Sequence, residues 1–301
     1  MSVKLLLDTD IGSDIDDAAC LAYLLAQPEC ALLGITTVSG EAEKRAMIAS
    51  ALCRLGGQDV PIFPGTEMPL TGKQKQPQAP QAKALSDFDH DTSFPKGEAV
   101  EFLRRTVHDN PGEVTLLAIG PMTNVALLFS LDPEIKDLLR GLVLMCGVFT
   151  PSARETEPRE WNALLDPIAA SIVYRTPVSL HRSIGLDVTS QVVMPSEEVR
   201  KTFTSKLLRG VLQFADIWFE ERDCLTFHDP LAAASIFLDS MCRFEWGNVE
   251  VRLAPEGESG VTEWSPSPGG HCEVAVAVDP GAFFDHYLGT LSSQSDLALH
   301  Q

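Results

Sequence analysis

Five aspartates, with no lysine or arginine among them, lie in the segment Leu7–Asp17, which reads L-D-T-D-I-G-S-D-I-D-D. The apolar residues 5–7 predict a short strand before the acids, and the apolar pattern of residues 17–26 predicts a helix after them. The acids therefore lie where a strand gives way to a helix. Such a concentration of carboxylate oxygens is typical of a site for a hard divalent cation.

Ordinary helix chemistry explains only part of this charge. Asp14 can cap the predicted helix, and Asp16 and Asp17 can interact with its dipole. Asp8 and Asp10 have no such role and no basic neighbour close in sequence. Because like charges about 5 Å apart repel by a few kcal/mol at intermediate dielectric, a cation is the economical explanation.

Other site classes fit the segment less well. An EF-hand loop starting at Asp8 requires Gly sixth and Glu twelfth, whereas Ser13 and Ala19 occupy those positions. Asp-x-Asp after a strand is also typical of a phosphatase with Asp8 as nucleophile and Asp10 as acid, and this alternative stays open. No Gly-rich phosphate-binding motif follows an early strand.

Composition restricts the class of protein. The 301 residues are 45% hydrophobic and 22% charged, which is typical of a folded globular protein. A net charge of −19 argues against nucleic-acid or membrane partners and leaves small molecules and cations. Seven cysteines without a Cys-x-x-Cys pair indicate reduced, buried thiols. With no signal-peptide pattern at the start of the sequence, we expect a cytoplasmic protein.

Short apolar runs alternate with helical patterns, which predicts an α/β fold with a mostly parallel central sheet flanked by helices on both faces. We expect one domain over residues 1–301, a mobile flap at about 70–95 and a mainly helical part at about 190–240. The predicted helices are 17–26, 41–55, 100–107, 122–129 and 167–174, and the extended segments are 5–7, 32–38, 60–63, 114–119, 142–145, 178–180 and 272–278.

The acidic segment resembles the N-terminal motif of the inosine–uridine nucleoside hydrolase family, Asp-x-Asp-Pro-Gly-x-Asp-Asp-Ala, with two residues inserted before the final acidic pair. The resemblance covers roughly residues 4–232 and implies a Rossmann-like nucleoside hydrolase fold. Six further segments resemble the family's motifs in the same order: Gly34–Gly40, Leu117–Ala126, Leu142–Gly147, Glu160–Pro167, Gly185–Thr189 and Phe227–Ala232.

The resemblance implies a calcium ion that holds a water and the ribose 2′- and 3′-hydroxyls. Its implied ligands are Asp10, Asp17, the backbone carbonyl of Ile119 and Asp229, an all-oxygen set that suits Ca²⁺. Asp10 is implied as the general base that activates the calcium-bound water.

Other implied roles concern the two ends of the substrate. Asp16, Glu160 and Asn162 match residues that bind ribose hydroxyls, and His228 is the candidate acid for the leaving nucleobase. Alternation along an extended chain predicts that Trp161, between two of these residues, points away from the pocket into the core.

Two positions depart from the family pattern. Glu41 replaces an Asn that binds ribose in many relatives, and Arg154 lies near the place of an Asn that contacts the sugar's 5′ side. Both are candidate substrate-binding residues here, although Glu41 also suits a helix start and Arg154 can pair with Glu160.

The resemblance therefore implies a purine or pyrimidine salvage enzyme, a nucleoside N-ribohydrolase that cleaves ribonucleosides to free base and ribose. The alternatives are a metal-dependent riboside-binding protein with little catalysis and a hydrolase of a non-standard N-riboside. Relatives are often homodimers or homotetramers, so a homo-oligomer is expected.

Overall fold

The computed structural model describes residues 2–254 and 259–292. The strands are β1 Val3–Thr9, β2 Cys30–Thr37, β3 Ile62–Pro64, β4 Val114–Ala118, β5 Gly141–Met145, β6 His181–Ile184, β7 Val193–Pro195, β8 Cys224–Thr226, β9 Cys242–Val251, β10 Thr262–Pro266 and β11 Cys272–Val278. The α-helices are α1 Asp16–Ala26, α2 Ala42–Leu55, α3 Ala99–Asp109, α4 Thr123–Leu131, α5 Pro151–Thr156, α6 Trp161–Leu165, α7 Pro167–Arg175, α8 Leu186–Thr189, α9 Ser196–Thr202, α10 Lys206–Trp218, α11 His228–Ala234 and α12 Pro280–Ser292. Short 3₁₀ helices cover Pro80–Asp87, Ile135–Asp137 and Asp239–Met241.

Within the described residues, nine strands form one sheet in the order β10-β9-β11-β6-β5-β4-β1-β2-β3. Neighbouring strands from β3 to β11 in this order are parallel, whereas β9 pairs antiparallel with both β11 and β10. The predicted α/β fold with a mostly parallel sheet is confirmed.

The two faces of the sheet bury separate apolar layers, and β1 contributes to both. Leu5 and Leu7 pack into a cluster with α1, α2, α10, α11 and α12, whereas Leu6 packs into a cluster with α3, α4 and α7. A strand buried on both faces requires a continuous apolar run rather than alternation. This explains why three leucines precede the acids.

Parallel pairing brings the carboxyl ends of three strands together. Leu7 of β1 aligns with Leu117 of β4, and β4 aligns in turn with β5. The turn beyond β1 starts beside the turn beyond β4, where the Ile119 N–H donates to the Asp8 carbonyl at 2.9 Å. The residues that follow these strands therefore share one edge of the sheet.

The structure corrects two details of the predicted elements. The extended segment expected at 178–180 lies three residues too early, because β6 begins at His181. The sequence also gave no signal for β9 and β10, whose outer position leaves many of their side chains exposed. The polar stretch at 70–95 contains the 3₁₀ helix Pro80–Asp87, and the 190–240 part contains α9, α10 and α11 with the two-stranded β7–β8 ribbon.

The cysteines match their predicted character in part. All seven are free, five are buried, and Cys30 and Cys224 are half-buried. Across residues 2–254 and 259–292, no helix combines the length and the apolar character needed to cross a membrane.

Candidate active site

A cavity of about 740 Å³ opens at the carboxyl ends of β1, β4 and β5. Eight of the ten site residues predicted from the sequence line it, and Glu41 and Arg154 do not. The eight are Asp10, Asp16, Asp17, Ile119, Glu160, Asn162, His228 and Asp229.

Three of the acids meet where α1 packs against α11. Carboxylate oxygens of Asp16, Asp17 and Asp229, one from each, lie within 4.8 Å of one another, and all three residues are buried. The Asp229 N–H donates to Asp16 Oδ2 at 3.0 Å, and Thr9 Oγ1 donates to Asp17 Oδ1 at 2.5 Å. The implied ligand Asp10 lines the same cavity without belonging to this trio, and the trio contains Asp16 instead.

Burial dominates the electrostatics of these acids. Desolvation raises the pKa of Asp16, Asp17 and Asp229 well above 3.8, and the negative charges of neighbouring aspartates raise it further. Burial also raises the pKa of Asp10, which Arg45 and the Gln76 amide partly oppose. At neutral pH the cluster must therefore hold protons or a cation.

The donor set fits a hard divalent cation. Carboxylate oxygens are the ligands that Ca²⁺ prefers. Ile119 lines the same cavity, and its carbonyl accepts a hydrogen bond from Asn162 Nδ2 at 2.8 Å, which leaves a second lone pair for a ligand. Asp10, Asp16, Asp17, Asp229 and this carbonyl are thus the residues that could hold the metal.

A buried arginine holds the acidic turn from behind. Arg45 is 0% exposed, and its guanidinium donates to the backbone carbonyls of Asp10, Ile11 (3.1 Å), Gly40 (2.8 Å) and Gln78 (2.9 Å). In these contacts the guanidinium N–H groups donate to peptide carbonyls rather than to carboxylates. Its charge moderates the cluster but leaves the carboxylate oxygens available.

Asp8 lies outside the cavity. It is fully buried, its Oδ1 accepts hydrogen bonds from Thr36 Oγ1 and Asn124 Nδ2, and Oδ2 is without a partner among the described residues. Burial raises its pKa to about 7. A carboxylate enclosed in this way cannot reach a phosphate ester, so the phosphatase alternative is wrong.

Glu160 caps α6 and lies in the cavity wall. Its carboxylate accepts hydrogen bonds from the N–H groups of Asn162 (2.7 Å), Ala163 (3.0 Å) and Gly147 (3.1 Å). The prediction that Trp161 lies in the core is wrong, because this residue starts a helix and strand alternation does not apply. Its side chain is 49% exposed and lines the cavity.

His228 lies at the start of α11, directly before Asp229. Its Nδ1 forms a 2.7 Å hydrogen bond with Thr189 Oγ1, and burial lowers its pKa to about 4. The ring is therefore neutral at pH 7 and lines the same cavity as the acids.

Residues 5–285, almost the whole chain, match the inosine-uridine preferring nucleoside hydrolase family. The chain belongs to this family. It is 30% identical to a probable uridine nucleosidase 2 of Arabidopsis thaliana over 93% of this chain and 94% of the relative. It is 31% identical to the non-specific ribonucleoside hydrolase RihC of Salmonella paratyphi C over 94% and 95%.

The solved structures agree with this assignment. A purine-preferring ribonucleoside hydrolase from Gardnerella vaginalis superposes with a TM-score of 0.83 at 26% identity, covering 96% of this chain and 98% of its own. The family and relatives confirm the predicted enzyme class, a nucleoside N-ribohydrolase. The relatives differ in the bases that their names give, so the assignment does not carry a base preference.

Two residues predicted to bind substrate in this nucleoside hydrolase lie outside the cavity lining. Glu41 has left-handed backbone (φ 59°), and its carboxylate accepts hydrogen bonds from Lys44 Nζ and the Ala79 N–H. Arg154 lies in α5 and is half-buried outside the cavity lining.

Sequence reasoning missed several residues that line the cavity. Among them are Gln76, Arg159, Trp218 and Arg222. Arg159 directly precedes the motif Glu160–Pro167, and this closeness in sequence is the only feature that could have marked it as a site residue. Gln76 lies in the Pro/Gln-rich stretch, whose composition predicts a loop but not what the loop contacts.

Proposed function

We propose that this protein hydrolyses the N-glycosidic bond of ribonucleosides to free base and ribose with Ca²⁺ as its metal. Asp10, Asp17, Asp229 and the Ile119 carbonyl are the proposed ligands. The observation that carries the proposal is the trio of buried carboxylates in the lining of a cavity of about 740 Å³. Ca²⁺ supplies Lewis-acid polarisation of a water and of the ribose hydroxyls when it is bound.

Asp10 is the proposed general base. Its carboxylate lies at the carboxyl end of β1 and accepts the proton of a water that attacks the anomeric carbon. The transition state for such a cleavage carries positive charge on the ribosyl ring. The surrounding acids, Asp16 and Glu160 among them, stabilise that charge.

The ribose end is held by groups whose orientation the fold already fixes. Asn162 Nδ2 donates to the carbonyls of Ile119 (2.8 Å) and Met145 (3.0 Å), so its Oδ1 is available to a ribose hydroxyl. Asp16 and Glu160 supply further acceptors. Buried acceptors left unpaired by a missing hydroxyl should make the enzyme discriminate against 2′-deoxyribose.

His228 is the proposed donor to the leaving base. Since its pKa is about 4, the neutral ring acts by a hydrogen bond from Nε2 as negative charge develops on the base. This role requires the tautomer with its proton on Nε2, in which the Thr189 hydroxyl donates to Nδ1.

A reducing-sugar assay across uridine, cytidine, inosine, adenosine and guanosine tests the proposal, each with Ca²⁺ and with EGTA. We expect ribose release that EGTA abolishes and added Ca²⁺ restores. Release unaffected by EGTA would remove the metal from the mechanism. Absence of release, together with a Ca²⁺-dependent rise in thermal midpoint, would favour the riboside-binding alternative. A cytoplasmic location, a role in salvage and a homo-oligomeric state stay predictions.

A further inference from the structure

Residues 74–81, which we call the strap, run along one wall of the cavity. Hydrogen bonds to neighbouring segments hold the strap on both sides. Lys75 Nζ donates to the Leu164 carbonyl at 2.9 Å, and Ser39 Oγ donates to the Gln76 carbonyl at 3.3 Å. Further along, Gln81 Nε2 donates to the carbonyls of Ser13 and Asp14 at 3.0 and 2.9 Å. The strap thereby joins the acidic turn to the segment around α6.

One strap side chain reaches the proposed base. Gln76 is only 9% exposed, although the two residues on either side of it along the strap are exposed or half-buried. Its Nε2 donates to Asp10 Oδ2 at 2.5 Å, and its Oε1 accepts from Trp161 Nε1 at 2.6 Å. The Gln76 amide thus connects the proposed general base, Asp10, to the indole of Trp161, which also lines the cavity.

The chemistry of the two partners fixes the orientation of this amide. An indole N–H can only donate, so the Gln76 oxygen must face Trp161. An ionised carboxylate can only accept, so the Gln76 NH₂ group must face Asp10. Rotating the amide by half a turn would place two donors together at one end and two acceptors at the other. Trp161 therefore determines which group Gln76 presents to Asp10.

We propose that Gln76 is a positioning residue for this reaction, which acts by holding the Asp10 carboxylate in place as an ionised acceptor, with Trp161 fixing the amide. The inference rests on the proposed role of Asp10 as base. A hydrogen bond to a charged group is among the stronger ones in proteins, and it restricts the rotation of the carboxylate. The strap supplies this contact from a part of the chain far from the acidic turn.

The test compares kcat and KM for Gln76→Leu, Gln76→Glu and Trp161→Phe. Gln76→Leu removes both hydrogen bonds, and Gln76→Glu keeps an acceptor for Trp161 but sets a carboxylate oxygen against Asp10. We expect either change to lower kcat about 10- to 100-fold while KM changes less than about threefold. Trp161→Phe should lower kcat less, because the amide can still donate to Asp10 in some of its orientations.

The double variant Gln76→Leu/Trp161→Phe separates positioning from general packing. Because Trp161 acts on Asp10 only through Gln76, its change should cause no further loss of kcat once Gln76 is leucine. The Ca²⁺-dependent rise in thermal midpoint of Gln76→Leu and of Trp161→Phe should match that of the wild type. Additive kcat losses, a loss of the Ca²⁺ effect, or an effect on KM alone would each overturn the proposal.

Lys75→Met is the matched control, since it removes a strap anchor that does not touch Asp10. Its kcat should stay within about twofold of wild type, and a fall equal to that of Gln76→Leu would show that only strap anchoring matters. The wild-type ribose assay keeps the two proposals apart. Ribose release by the wild type that Asp10→Asn abolishes supports the proposed function whatever the Gln76 variants do.

Discussion

Asp10 lies at the carboxyl end of β1, with its carbonyl held by Arg45 and its carboxylate held by Gln76. Asn in its place keeps the shape but cannot accept a proton. We expect Asp10→Asn to lower kcat by about 10²- to 10⁴-fold, the usual contribution of a general base, with the fold retained. Steady-state kinetics with the best nucleoside, together with circular dichroism, checks this.

Asp14→Asn is the comparison variant, because it removes the same charge from the same turn. Asp14 lines the cavity, but it does not belong to the trio of Asp16, Asp17 and Asp229. Its loss of kcat should be much smaller. Equal losses in both variants would mean that the total charge of the turn, rather than a specific base, governs the rate.

His228 is the proposed donor to the leaving base, so its contribution to the rate should depend on how poor a leaving group the base is. His228→Ala should reduce kcat about 10²-fold or more for ordinary nucleosides and much less for 4-nitrophenyl riboside, whose leaving group is already stable. Thr189→Val, which removes the partner of Nδ1, should give a weaker version of the same pattern. An equal loss on both substrates would argue against leaving-group assistance.

Among the strands, those buried at the centre of the sheet could be predicted from the sequence more readily than those at its outer edge. The central strands β1, β4 and β5 are continuous apolar runs with turns at both ends, so their existence and their membership of a mostly parallel sheet could be read from the sequence. The outer strands β9 and β10 have mixed burial, and their pairing depends on contacts distant in sequence. Asp10 and Ile119 follow β1 and β4, but the prediction that they share one site comes from the resemblance to the family and not from burial.

The residues that were missed belong to elements positioned by tertiary contacts. Trp161 was misplaced because the Glu160 side chain caps a helix there, and this cap was not evident in the residue pattern. Gln76 reaches Asp10 because Gln81 binds the strap to the acidic turn and because Trp161 holds the Gln76 amide. A polar composition predicts such a loop, but it does not predict which residues the loop's side chains contact.

Gly40 tests how the strap is positioned. A Cβ at this position would lie 2.5 Å from the Pro77 backbone, so the strap cannot keep its course if Gly40 becomes Ala. We expect Gly40→Ala to lower the free energy of unfolding by about 1–3 kcal/mol, as overpacking does. It should also lower kcat, because Gln76 lies next to Pro77. Thermal melts and steady-state kinetics measure both effects.

Gly289→Ala is the matched control. Gly289 is exposed in α12, and a Cβ there meets nothing within 4 Å among the described residues. Alanine should stabilise this helix by about 0.5–1 kcal/mol and leave kcat unchanged. A Gly40→Ala protein with wild-type stability and activity would show that the strap tolerates displacement.

The whole molecule carries a net charge of −19, and its most enclosed charges lie in one cluster. Burial raises the pKa of Asp8 from 3.8 to about 7 and that of Asp14 to about 6, and it raises the pKa of Asp16, Asp17 and Asp229 well above 3.8. In the calcium-free protein these groups bind more protons folded than unfolded between pH 3.8 and their raised pKa values. The free energy of unfolding should therefore fall as pH rises through that window and stay low above it.

Calcium should counter this loss by replacing the protons that the acids give up. We expect the rise in thermal midpoint on adding saturating Ca²⁺ to EGTA-treated protein to be larger at about pH 8 than at about pH 6, since metal binding requires deprotonated ligands. Asp17→Asn provides the internal check. It removes one buried charge, so the calcium-free variant should melt higher than wild type at about pH 8 while its Ca²⁺-dependent rise largely disappears. A Ca²⁺ effect of the same size at both pH values would show that the cation does not compete with protons for these carboxylates, and the assignment of Asp17 and Asp229 as ligands would fail.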